Sequence, residues 1–82
     1  MEEYKLLDRI MVDPKIMVGK PTIRGLRITV EQILAALASG ISVNDLMEDY
    51  PELEADDAKV ALIYALELAK LAKEGRIFAV AQ

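Results

Sequence analysis

The sequence predicts a mainly α fold: a tri-helical core of helix-turn-helix type, with a small β element at the N-terminus and further strand character in the C-terminal tail. Three observations predict it. Helix caps and stops recur three times between Thr29 and Gly75. The first 30 residues hold short apolar runs broken by Pro and Gly. The length, 82 residues, suits one domain over 1–82, divided into a β/loop segment (1–30), a three-helix core (29–74) and an apolar tail (75–82).

The elements follow in chain order. Arg9-Ile10-Met11-Val12 is a candidate strand stopped by Asp13-Pro14. Thr22-Ile23-Arg24 and Leu26-Arg27-Ile28 are two further short strands about a bend at Gly25. Thr29 and Gln32 have capping-box spacing, and Val30, Ile33, Leu34 and Leu37 then fall on one helical face until Gly40. Ser42 caps a second helix whose apolar residues are Val43, Leu46, Met47 and Tyr50, and Pro51 ends it. A third helix spans about Ala55 to Glu74, with Asp56 and Asp57 at its positive end, Lys70 and Lys73 at its negative end, and Gly75 as stop. The tail Ile77-Phe78-Ala79-Val80-Ala81 has strand character.

Composition narrows the function. With no Cys and no His, disulfides are excluded and the commonest general base and metal ligand are missing. No nucleophile–base pair is visible, so no catalytic residue, metal or cofactor is expected, and the chain is expected not to be an enzyme. The longest apolar run, Val60 to Leu66, is too short to cross a bilayer, and no basic leader precedes an apolar stretch. A cytoplasmic protein without a membrane role is expected. Residues 1–30 carry six basic against four acidic residues, a net of +2; residues 31–82 carry four against ten, a net of −6, giving the overall −4. An anion-binding surface therefore belongs in the first third.

The third helix is apolar right round between Val60 and Leu66, more than two short helices can cover. Either the N-terminal strands cover the rest or the helix meets a symmetry mate in a homodimer.

Asp13-Pro14-Lys15-Ile16 and Val18-Gly19-Lys20-Pro21-Thr22-Ile23-Arg24-Gly25-Leu26-Arg27-Ile28 resemble the signature of the domain-of-unknown-function 433 family. Tyr50-Pro51-Glu52-Leu53 and the helix containing Val60-Ala61-Leu62-Ile63-Tyr64-Ala65 continue the match, so the resemblance covers roughly residues 8–68. It departs at Val18, where a second glycine is usual, and at Leu26, where a threonine is usual. The resemblance implies a helix-turn-helix-like fold. It also implies a role like the antitoxin half of pairs whose toxin is a PIN-like ribonuclease.

Candidate sites follow. Gly19-Lys20 is not a phosphate-binding P-loop, because Pro21 follows the lysine and Pro14 replaces the upstream glycine. Lys20, Arg24 and Arg27 form a basic hairpin suited to nucleic-acid phosphates; a solvated strand face or ion pairs to the acidic helices are the alternatives. The start of the third helix, with Glu54, Asp56 and Asp57, would repel phosphate rather than read bases. Glu48, Asp49, Glu52, Glu54, Asp56 and Asp57 are expected to form a solvated acidic surface with helix capping. Val60, Ile63, Tyr64, Arg76, Ile77, Phe78 and Val80 form the expected partner or dimer interface. Arg76 could reach an acidic nuclease centre, and the tail could add to a sheet edge or pair with the protein's own N-terminal strand. The function expected is an antitoxin-like regulator of a PIN-like ribonuclease, with operator DNA as a further partner. The other reading is a homodimeric interaction module without a nucleic-acid role.

Overall fold

A computed structural model describes residues 5–72. Three helices, α1 (Val30–Ala38), α2 (Val43–Asp49) and α3 (Ala55–Ala72), follow a two-stranded antiparallel sheet, β1 (Ile10–Met11) and β2 (Thr22–Ile23). The expected mainly α architecture with a small N-terminal β element is what the chain forms. No helix among the described residues is long and apolar enough to cross a membrane.

The caps set the helix boundaries. Thr29 Oγ1 accepts from the Gln32 backbone N–H at 3.0 Å, and Gln32 Oε1 accepts from the Thr29 N–H at 2.8 Å. This reciprocal pair starts α1 where the spacing places it. Ser42 Oγ accepts from the Asp45 N–H at 3.1 Å and starts α2. Between them Gly40, at φ +98°, lets the chain leave α1.

The core holds Ile23, Ile28, Val30, Ile33, Leu46, Leu53, Val60 and Ala61, with Val30 and Ile33 from the predicted face of α1 and Leu46 from that of α2. Leu34, Leu37, Met47, Tyr50 and Tyr64 pack around it. α3 crosses both shorter helices and the 3₁₀ turn Leu7–Arg9.

The β segment is shorter than predicted. β1 is Ile10–Met11, with Ile10 opposite Ile23 and Met11 opposite Thr22; Arg9 closes the preceding 3₁₀ turn and Val12 lies past the pairing. Leu26-Arg27-Ile28 is not a strand. The Leu26 N–H bonds to Ile23 O at 2.8 Å, which closes a tight turn on Arg24 (φ 49°) and Gly25 (φ 76°). Positive φ at both central positions suits the right-handed twist of the flanking chain, and Gly25 meets its part at no steric cost. Pairing then resumes two residues late. Ile23 N–H reaches Ile28 O, Thr22 bridges Thr29, and Leu26 and Arg27 are looped out.

Candidate functional site: an inward ion cluster, a basic cavity and an apolar face

The positive-φ turn places Arg24 beside the first turn of α3. Its Nη2 donates to Asp57 Oδ2 at 2.9 Å and to the Glu52 carbonyl at 2.7 Å, and its Nε donates to Asp57 Oδ1 at 3.2 Å. Arg9 arrives from the other side, its Nη1 donating to Asp57 Oδ1 at 2.9 Å and to Glu54 Oε1 at 2.7 Å. The Glu54 N–H completes the set with a 2.8 Å bond to Asp57 Oδ2. Asp57 is fully buried. Burial by itself would push its carboxyl up, but the bonds from Arg24, the Glu54 backbone and Arg9 outweigh that and hold it below its ordinary value. Hydrogen bonds to Glu54 and Asp57 raise Arg9 further, and the bond to Asp57 does the same for Arg24.

One predicted surface is corrected here. Glu48, Asp49, Glu52, Glu54 and Asp56 are exposed, as expected of a solvated acidic face, but Asp57 is interior. A carboxylate at the third position of α3 points back along the helix toward its start, where two arginines from the β segment meet it. Residue counting does not reveal that meeting. The one sequence signal was the pairing of basic hairpin and acidic helix start, which left internal ion pairs open. Arg9 carried no separate signal.

Of the predicted basic set, Lys20 and Arg27 face one cavity and Arg24 does not line it. The cavity holds about 600 Å³, and Lys15, Met17, Val18, Thr29, Glu31, Gln32 and Ala35 also line it. Lys20 Nζ lies 3.0 Å from Glu31 Oε1. Among the described residues, the Lys15 ammonium and the Arg27 guanidinium have no ion pair and no hydrogen-bond acceptor. The cavity wall includes left-handed backbone at Met17 (φ 52°) and Val18 (φ 58°), continued by Gly19 (φ 79°) beyond the lining. Val18 is 93% exposed. A β-branched residue in this region is strained, and here no burial offsets the strain.

α3 presents apolar surface on two sides. Val60 and Ala61 are fully buried, so Val60, expected at a partner interface, has no surface left for a partner and belongs to the core. Leu62 and Leu66 are 52% and 54% exposed. At about 100° per residue they lie roughly opposite Val60 and Ala61, facing away from the core. Ile63 and Tyr64 are half-buried. Tyr64 and Leu68 instead border a second cavity of about 570 Å³ between α1 and α3, with Leu34, Ala35 and Ala38 on the other wall. Arg76, Ile77, Phe78 and Val80 lie outside the described residues.

The chain is similar to an uncharacterized protein, y4eO, of Sinorhizobium fredii: 38% of 65 aligned residues are identical, covering 79% of this chain and 29% of the relative. It thus spans under a third of that relative's length. No solved structure matches. The model of the family described as "Protein of unknown function (DUF433)" matches residues 10–65, which takes in the sheet, the basic cavity, Arg24 and Asp57 of the ion cluster and Leu62 of α3, with Arg9 and Leu66 just outside it. The chain belongs to the DUF433 family.

Proposed function

We propose that this chain is an antitoxin-like regulator that acts by binding a protein partner of the PIN-like ribonuclease class along the outer face of α3. The observation that carries the reading is the leucine pair Leu62 and Leu66, more than half exposed on the side of α3 opposite the core. Neighbouring apolar side chains at i and i+4 form a stripe of the kind an apolar groove or sheet face receives. The family resemblance supports the choice of partner, and the match to part of a longer relative supports a unit that works attached to other protein. Arg24, one of the cations expected to meet nucleic acid, is not available for that role, because its guanidinium neutralises Asp57.

The test is co-expression with a PIN-like ribonuclease encoded beside this chain in its source genome. The chain should restore growth and co-purify with the nuclease. Leu62→Glu/Leu66→Glu, at positions already in solvent, should abolish both while leaving the circular dichroism spectrum unchanged. A complex that survives the double substitution removes the stripe from the interface. Self-association is the second reading, favoured by the same stripe. Sedimentation equilibrium of the chain alone distinguishes it: a dimer dispersed by the double substitution assigns the stripe to a second copy.

A further inference from the structure

We propose that the cavity bounded by Lys15, Lys20 and Arg27 is a binding site for a small phosphorylated molecule of up to nucleotide size. Four observations carry this. First, the cationic charge of the N-terminal segment is divided by the fold. Arg9 and Arg24 are consumed by Asp57, whereas Lys15 and Arg27 converge on one concavity with no carboxylate partner among the described residues. An unpaired guanidinium and ammonium facing one space suit the oxygens of a phosphate, which accept several charge-assisted hydrogen bonds at once. Second, Lys20 adds a third cation whose present partner, Glu31, is 74% exposed across its side chain. Exchanging a solvated surface pair for a phosphate contact is a small loss.

Third, the volume, about 600 Å³, lies within the range of small-ligand sites, and Met17, Val18 and Ala35 give the cavity an apolar wall beside its cations. Such a wall suits the organic body of a phosphorylated compound better than a bare ion. Fourth, Met17 and Val18 hold left-handed backbone along that wall, with Val18 exposed. Strain kept at a solvent-exposed wall is the pattern found where a ligand, not the core, makes use of the geometry.

The charge distribution decides between a small ligand and a polyanion. The chain carries −4 overall, with ten of its fourteen acidic residues after residue 30. Glu31 also lines the cavity. A compact phosphate can seat against Lys15 and Arg27 with that one carboxylate beside it, whereas a duplex would bring many phosphates against a chain of net negative charge.

The experiment is a titration of the full chain, ¹⁵N-labelled, with ADP, inorganic phosphate and a duplex oligonucleotide, each followed by amide chemical shifts and calorimetry. ADP should bind saturably and shift residues 15–20 and 27–35, with inorganic phosphate weaker at the same residues. Lys15→Gln/Arg27→Gln should weaken ADP binding at least about tenfold, as expected for two lost charge-assisted contacts. Both positions are exposed, and an unchanged melting curve would confirm that the variant folds. Three results would overturn the proposal: no saturable binding of ADP or phosphate at millimolar concentration, binding undiminished in the double variant, or tighter binding of the duplex than of ADP at these residues. None of these bears on the leucine stripe of α3.

Discussion

The N-terminal segment contains two sets of cations that look alike in sequence and differ in every physical respect. Arg9 and Arg24 turn inward onto a carboxylate with no solvent access; Lys15 and Arg27 turn outward onto an open cavity. Arg24 and Arg27 are only three residues apart, so neither composition nor local charge separates them. The turn does. Positive φ at Arg24 and Gly25 aims Arg24 at the first turn of α3, and the looped-out pair Leu26-Arg27 points the next arginine away. The inner set fastens the β segment to the longest helix, and the outer set remains available to something else.

Breaking the inner set should have the largest effect. Asp57→Ala removes the carboxylate shared by Arg9 and Arg24, and removal of one member of a buried ion cluster typically destabilises by about 3–5 kcal/mol. Because Arg9 and Arg24 keep 26% and 33% of their side-chain surface in water, a loss near about 3 kcal/mol is expected in urea unfolding. A loss under about 1 kcal/mol would mean that Asp57 is not the anchor, since that is the value of an ordinary surface pair.

The pH profile sharpens the same point. Asp57 titrates below its ordinary value when folded, so the unfolded chain binds the proton more readily. The contribution is therefore fully present above the ordinary carboxylate range. It is lost as pH falls through that range toward the folded value. Acid unfolding of the native chain should show this loss, and Asp57→Asn should flatten it. A profile identical in both proteins would assign acid sensitivity to other carboxylates.

The smallest and most direct comparison is between the two neighbouring arginines. Arg24→Gln should cost about 1.5–3 kcal/mol, the value of hydrogen bonds to a charged partner. Arg27→Gln should stay within about 0.5 kcal/mol of the native chain, as surface substitutions usually do. Equal melting temperatures would erase the distinction between inward and outward cations.

Much of the fold was legible from local signals. The capping box at Thr29–Gln32 and the Ser42 cap are short-range bonds between residues three apart, so sequence spacing encodes them directly. The apolar faces of α1 and α2 follow from helical periodicity for the same reason. The β segment was less legible. The looped-out Leu26-Arg27 depends on a bridge between Thr22 and Thr29 that no alternation pattern announces. The candidate sites divided likewise. Lys20, Arg24 and Arg27 were grouped as one basic set, which the fold divides by turning Arg24 onto Asp57, and Asp57 was counted with a solvated, capping surface and lies inside.

α3 shows the limit most clearly. Its all-round apolar stretch signalled burial on more than one side, yet periodicity could not assign which residues would be covered. In the fold Val60 and Ala61 enter the core while Leu62 and Leu66 remain outside. What the sequence by itself determined was the helix starts, the stops and the apolar stripes of the short helices, all written in contacts between residues three or four apart. Tertiary structure alone decided which arginines meet Asp57 and which leucines stay in water. Those outcomes depend on elements 33 to 48 residues apart being brought together, and on how much surface their packing leaves uncovered.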